Sequence, residues 1–208
     1  IDTTAARSTL TSRAEARSVL GMPPQAKVIA NVGRLHPDKD QATLLRGFAQ
    51  ALPELPTGTL LAIAGSGPLE AELKTLAKEL GITDSVRFLG QVPDIRRHFR
   101  AFDLFVLSSD HEPFGMVLLE AMAADVPIFA TACGGAPEVV ADPARLFALG
   151  DSGELATRLR SFFAESSPTQ HDAANAAAAR RLDERFSDSA AQQRFFALPA
   201  VAAILPKA

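Results

Sequence analysis

An α/β fold built on a parallel sheet is predicted by three features of the chain. Short runs that are apolar at nearly every position recur between residues 27 and 130, amphipathic segments of helical period lie between them, and Gly- or Pro-bearing turns separate the two. A run without polar alternation suits a strand buried on both faces. Strands that alternate with helices at this spacing join through right-handed crossovers into one layer.

The elements follow in order. Residues 2–26 are polar, carry one helix around 12–20, and break at Gly21-Met22-Pro23-Pro24. The first strand is KVIANV at 27–32, and the helix after it, 40–52, repeats Leu44, Leu45, Phe48 and Leu52 on one face. TLLAIA at 59–64 is the second strand. In the helix at 69–80 the residues Leu69, Leu73, Leu76, Ala77 and Leu80 recur at helical spacing, and Gly81 stops it. VRFL at 86–89, LFVL at 104–107 and PIFA at 127–130 complete five strands, with an apolar helix starting near Gly115 between the last two. Beyond Phe163 the break Ser166-Ser167-Pro168 precedes helices near 171–185 and 188–197, the first through the alanine-rich run 173–179. The organisation is therefore a lead-in segment at 1–26, a Rossmann-like sheet flanked by helices at 27–165, and C-terminal helices at 166–208. The apolar tail at 195–205 carries Pro199, is too short to span a bilayer, and is expected to pack on a partner surface.

Composition narrows the function. Of the 208 residues 47% are apolar and 22% charged, which fits a packed globular domain and excludes a disordered chain. A net charge of −3 argues against a nucleic-acid-binding face. The one cysteine, Cys133, leaves no intramolecular disulfide or thiolate zinc site and fits a reducing compartment. No stretch reaches the roughly 20 apolar residues of a membrane span, and Ile1-Asp2-Thr3-Thr4 lacks the basic start and apolar run of a signal peptide. Arginine outnumbers lysine 16 to 5, which with the alanine-rich C-terminal region suggests a GC-rich bacterial genome and a cytoplasmic location.

In an open parallel sheet, ligands bind beyond the carboxyl ends of the strands. After the first strand, GRLHPDKD at 33–40 sets Arg34 and Lys39 five residues apart beside Gly33. A planar fork and a point charge at that distance can clamp a diphosphate; two solvated surface cations are the plain alternative. Asp38-Lys39-Asp40 also matches a metal-holding D-x-D pattern, although Asp40 suits a helix N-cap. After the second strand, Gly65-Ser66-Gly67-Pro68 is not G-x-G-x-x-G, because Glu70 holds the third glycine position; it reads as a tight turn with Pro68 opening the helix, the alternative being that the two glycines let a ligand approach.

The densest signal follows the fourth strand, in residues 108–123 (SSDHEPFGMVLLEAMA). Pro113 pushes Glu112 out of helical geometry and keeps it in the loop. A helix starting near Gly115 leaves the amides of Gly115, Met116 and Val117 for a phosphate or sugar hydroxyl. Glu120 lies about a turn further in on an otherwise apolar helix, so it needs partners, which are ribose hydroxyls or else a buried ion pair or cap. His111 reads as a neighbour of Glu112. After the fifth strand, Cys133-Gly134-Gly135 is a turn or an amide nest, and Gln91-Val92 after the third strand can meet a base edge through its backbone. His98 and His171 are expected on the surface. No metal-ligand spacing and no Ser/His/Asp set is present.

These motifs, G-R-L-x₄-K after the first strand and E-P-F-G-x₄-E-A-M-A after the fourth, resemble the group 1 retaining glycosyltransferases of GT-B architecture, with AGSGP, VRFLGQVPD and ACGGAPEVV in matching order. The resemblance runs through most of residues 1–197. It implies the C-terminal, donor-binding half of a two-domain enzyme, with the acceptor-binding N-terminal domain outside this chain. By the family pattern, Arg34 and Lys39 stabilise the leaving diphosphate, Glu112 holds hydroxyls of the transferred sugar, and Glu120 holds the ribose. Phe114, Gly115, Met116 and Val117 contact sugar and phosphate, Gly33 belongs to the same substrate-binding set, and Gln91-Val92 meet the base. The implied donor is a nucleotide sugar, by default a UDP-sugar, with no cofactor and no metal. The implied acceptor is a glycan or lipid-linked precursor of a surface polysaccharide or lipopolysaccharide, met at the cytoplasmic face of the inner membrane. Two departures stand out: Pro113 replaces a frequent glycine, and residues 141–145 (ADPAR) lack an Asn-Gly turn. The alternatives are a non-catalytic Rossmann-like binding or regulatory module, and a sugar-nucleotide epimerase or phosphorylase of related architecture.

Overall fold

Each of the five apolar runs is a strand in a computed structural model of the chain, which describes residues 1–164 and 168–199. They are β1 (Val28–Val32), β2 (Leu60–Ala64), β3 (Val86–Gly90), β4 (Leu104–Leu107) and β5 (Ile128–Thr131), and a two-residue β6 (Leu146–Phe147) extends the edge. Neighbouring strands are parallel throughout, in the order β3-β2-β1-β4-β5-β6. The order reverses between β1 and β4. Loops leaving those two strands run to opposite sides, which opens a crevice above their carboxyl ends.

Helices α1 (Thr3–Ser8) and α2 (Arg13–Val19) precede β1, while α3 (Gln41–Ala51) and α4 (Glu70–Glu79) follow β1 and β2. After β4 and β5 come α5 (Met116–Ala123) and α6 (Ala136–Val140), and α7 (Ser152–Ala164), α8 (Pro168–Arg181) and α9 (Asp188–Phe196) follow β6. Because strand side chains alternate, both sheet faces are apolar. Ile29, Leu61, Ile63, Leu104, Val106 and Phe129 pack with Leu44, Leu45 and Phe48 of α3, Leu73 of α4, and Leu155 and Leu159 of α7. Val28, Ala30, Ala62, Phe105 and Leu107 pack with Leu118, Leu119 and Met122 of α5. Each such Leu or Phe contributes about 1.5–3 kcal/mol when fully buried, so α3 and α5 are anchored firmly enough to hold their N-termini at the crevice.

The structure departs from the sequence reading in the connections. The lead-in holds two helices rather than one. A 3₁₀ segment, Ile95–Ala101, crosses from β3 to β4. Helix α4 begins at Glu70, so Pro68 lies in the turn ahead of it rather than at its first position. The single helix expected near 171–185 gives way at Arg181 to a π-helical turn, Leu182–Phe186, whose wider winding turns both Leu182 and Phe186 inward. In place of an Asn-Gly turn, Ala141 itself takes the left-handed conformation (φ +53°) at the end of α6. The breaker residues Ser166 and Ser167 and the tail from 200 onward lie outside the described residues.

One buried polar knot ties the lead-in to the sheet. The Arg17 side chain, 3% exposed, donates to the carbonyls of Ala101, Pro23, Pro24 and Ala26 and to Asp103 Oδ2 at 2.9 Å. Asp103 Oδ2 also accepts the amide of Val28 at the start of β1. A buried guanidinium is tolerated because nearly every donor has an acceptor.

Candidate functional site

The loops after β1 and β4 meet over the crevice. Following β1, a 3₁₀ turn (Pro37–Lys39) ends at Asp40, whose left-handed backbone (φ +39°) turns the chain into α3. The Asp40 side chain accepts the Thr43 amide at 3.2 Å, so Asp40 is the N-cap of α3. Asp38 is also engaged, by Arg34 at 3.1 Å and His36 at 2.8 Å. Burial acts to raise the Asp38 carboxyl, but the His36 hydrogen bond and the charges of His36, Arg34 and Lys39 outweigh it and hold it below the usual carboxylate range. Among the described residues no group of three or more His, Cys, Asp or Glu side chains is arranged to hold a metal ion.

Lys39 reaches across to the other loop. Its Nζ lies 2.7 Å from Glu112 Oε2, with the two side chains 19% and 13% exposed. The loops are also joined through the backbone, where Ser108 Oγ donates to the Lys39 carbonyl at 2.9 Å and the Asp110 amide donates to that of Asp38 at 3.1 Å. Glu112 Oε1 accepts the Gly115 amide at 3.1 Å. This corrects one expectation: α5 starts at Met116 and the Gly115 amide is taken. No side chain caps α5, and among the described residues no partner takes the amides of Met116 and Val117. They face the crevice end of the helix, where the aligned peptide dipoles favour negative charge.

Glu120 is half-buried on α5 and its carboxylate makes no hydrogen bond or ion pair among the described residues, so neither structural alternative for it is realised. Burial pushes its carboxyl up against the opposing charge of Arg96. It opens instead into a cavity of about 480 Å³ between α1, α5 and the 3₁₀ segment, lined also by Arg96, Arg97, Met116 and Leu10. Met116 is exposed where it lines this cavity, and Phe114, also exposed, meets the Phe186 ring edge-on at 5.9 Å. A larger cavity of about 560 Å³ touches none of these residues; it lies where β5 and β6 begin, between Pro127, Arg145 and Phe162.

Glycines let the loops close on one another. A Cβ on Gly65 (φ +138°) would fall 1.9 Å from the Gly33 carbonyl oxygen, and one on Gly134 (φ +52°) 2.0 Å from that of Glu112. The Gly65 and Gly134 turns thus serve close approach by neighbouring backbone, whereas the sequence reading offered a plain turn, an approaching ligand or an amide nest. Gly65 donates to the Gly90 carbonyl at 2.7 Å, which strings the loops of β1, β2 and β3 together and brings exposed Gln91 and half-buried Val92 to the same rim. His98 is half-buried against Thr11 Oγ1 at 3.1 Å rather than a surface residue. The side chain of His171 lies outside those described.

Sequence reasoning missed Gln41 and Ser108, both buried and both bonded to loop carbonyls. A glutamine at a helix start and a serine at a strand end are too common to stand out.

This geometry has close counterparts. The chain is 42% identical over 136 residues to a D-inositol 3-phosphate glycosyltransferase of Mycolicibacterium smegmatis, covering 63% of this chain and 31% of that protein. A Mycolicibacterium gilvum protein of the same name is 41% identical over 135 residues, 30% of its length. The chain therefore spans about a third of the length of the curated relatives it matches. Among solved structures, Anabaena Alr3699/HepE in complex with UDP superposes with a TM-score of 0.82 at 27% identity, over 98% of this chain and 56% of that one. WaaG, a glycosyltransferase involved in lipopolysaccharide biosynthesis, superposes with a TM-score of 0.76 at 25% identity, over 91% of this chain and 51% of that one. The model of the glycosyl transferases group 1 matches residues 12–180. With the motifs, the strand order and this match in agreement, the chain belongs to the group 1 glycosyltransferases.

Proposed function

We propose that residues 27–165 bind a nucleotide-diphosphate sugar and that the chain is the donor half of a retaining glycosyltransferase, the acceptor being read by a second domain. The observation that carries this reading is the Lys39–Glu112 contact at the strand-order reversal, where cations, helix amides and carboxylates converge from β1 and β4. UDP-sugar is the favoured donor, supported by the UDP complex of the Anabaena neighbour.

In this reading Arg34 and Lys39 offset the negative charge that builds on the diphosphate as the anomeric C–O bond breaks, and the Met116 and Val117 amides add fixed dipoles to the same end. Gly33 lets the diphosphate approach. Glu112 accepts hydroxyls of the transferred sugar, Glu120 accepts those of the ribose, Phe114 and Gly115 frame the sugar, and the backbone at Gln91 and Val92 meets the base. No cofactor or metal is required if the two cations supply the charge. No residue is placed as a nucleophile, so retention would follow from front-face attack by the acceptor hydroxyl, which gives its proton to the departing phosphate.

A precursor of a surface polysaccharide or lipopolysaccharide is the proposed acceptor, and the proposed setting is the cytoplasmic face of the inner membrane. A phosphorylated polyol is the second reading, favoured by the 41% and 42% identical relatives named for D-inositol 3-phosphate. Titration calorimetry of the chain with UDP, GDP and ADP, with and without EDTA, tests the donor site. Binding of one nucleotide that survives EDTA and is lost in Arg34→Ala is expected. No nucleotide binding, in the chain or in the full-length enzyme, would leave the non-catalytic module standing.

A further inference from the structure

We infer that Gln41 is a positioning residue for the Arg34 side of the donor site; the inference rests on the donor-site reading above. Arg34 cannot be aimed by its own side-chain contacts. Its side chain is 69% exposed and its one partner among the described residues, Asp38 at 3.1 Å, is an i,i+4 surface pair. Such pairs restrict a long side chain weakly. The direction of the guanidinium is therefore set by the backbone from which it springs.

That backbone is held at both ends of one peptide unit. The Arg34 carbonyl accepts Gln41 Nε2 at 2.8 Å, and the amide of the same peptide, on Leu35, donates to the Ser66 carbonyl at 3.0 Å. The turn at 65–67 lies against the other side, with no room for a Cβ at Gly65 or Gly67. The His36 amide also donates to the Arg34 carbonyl at 3.0 Å, but that bond closes a tight turn within the loop itself, so Gln41 and Ser66 are the contacts that tie this peptide plane to α3 and to the neighbouring loop, and it cannot rotate without breaking one of them. Gln41 is suited to this because it is 1% exposed at the first position of α3, which is itself anchored by Leu44, Leu45 and Phe48. Its second amide atom, Oε1, is buried without a partner, so the side chain is retained at a desolvation cost for the single bond to Arg34. Ser108 acts in parallel on the Lys39 carbonyl. The two cations of the site are thus each aimed by a buried side chain that touches no ligand.

The test uses Gln41→Met, which keeps the volume and removes the donor, with Gln41→Leu as a second variant and thermal melting as the check on folding. UMP and UDP are titrated against each, alone and in the Arg34→Ala background. A weakening of UDP by roughly 3- to 10-fold, the range for one lost hydrogen bond, is expected, with UMP unchanged and no further loss once Arg34 is absent. Equal weakening of UMP and UDP, an effect that persists in Arg34→Ala, or unchanged UDP binding overturns the proposal. Amide hydrogen exchange without ligand supplies an independent arm, in which exchange at Leu35 and His36 is expected to accelerate. Unchanged exchange there overturns the positioning role even if the parent binds no nucleotide, whereas a non-binding parent with accelerated exchange overturns only the donor-site reading.

Discussion

Glu112→Gln should tighten UDP and weaken the added affinity for UDP-glucose. The Glu112 carboxylate lies 2.7 Å from Lys39 and accepts the Gly115 amide, so under the proposed function it competes with the donor's phosphate for Lys39. Charges about 4 Å apart at an effective dielectric constant of about 20 attract by about 4 kcal/mol. Most of that is offset by desolvation and by the partial exposure of both side chains, which leaves on the order of 1–2 kcal/mol that a diphosphate must displace. Replacing the carboxylate by an amide removes the competition, so UDP should bind roughly 5- to 30-fold more tightly. The sugar moiety loses a charged acceptor for its hydroxyls, a loss of about 1.5–3 kcal/mol. Calorimetric titration of parent and variant with UDP and UDP-glucose at low ionic strength reads both effects, and a melting curve confirms that Lys39, left without its partner, does not unfold the domain. UDP affinity that stays the same or falls would refute the reasoning, because Glu112 would then not be competing for the phosphate.

Three other outcomes are expected. Burial raises the Glu120 carboxyl, so the folded chain holds this proton more tightly than the unfolded one, and stability falls as pH rises from the unfolded pKa through the raised folded one. Glu120→Gln should abolish that part of the decline, make the protein melt higher than the parent at pH 8 when no nucleotide is added, and weaken UDP; equal melting of the two proteins at pH 8 counts against an uncompensated carboxylate. Gly65→Ala places a methyl 1.9 Å from the Gly33 carbonyl oxygen, and the forced separation of the two loops should cost about 2–4 kcal/mol and loosen UDP binding, as read by melting and titration. Arg17→Ala takes the donor away from the carbonyls of Ala101, Pro23, Pro24 and Ala26, while Asp103 keeps Arg13 at 2.8 Å and the Val28 amide, and it should cost about 3–5 kcal/mol, roughly 10 °C in Tm for a chain of this size, with UDP affinity unchanged below the melting transition. A loss under about 1 kcal/mol would mean that the knot is solvent-relaxed.

The legibility of the fold in the sequence follows from what each signal depends on. The strands at 28–32, 60–64 and 104–107 could be read because a strand buried on both faces must be apolar at nearly every position, a property of the run itself. Helices α3 and α4 announced themselves by period, and Asp40 as an N-cap by residue type. Short elements were not legible: α1 has no buried residue to create a period, and β6 is two residues long. At the site, the cations and the two glutamates were readable from chemistry and spacing. Their pairing was not, because Lys39 and Glu112 are 73 residues apart and meet only through the adjacency of β1 and β4.

The sequence alone therefore determined an α/β layer, the loops that carry charge, and the glutamates set among apolar or turn-forming neighbours. All of these rest on local pattern and residue chemistry. The tertiary structure decided which loops touch, that Gly65 and Gly134 exist for close approach, that the Gly115 amide is occupied by Glu112, and that the Glu120 carboxylate has no partner among the described residues while the Gln41 amide has one. Each of those depends on strand order and on distances between residues remote in the chain, and parallel β-strands joined by crossovers put such distances beyond the reach of any local pattern.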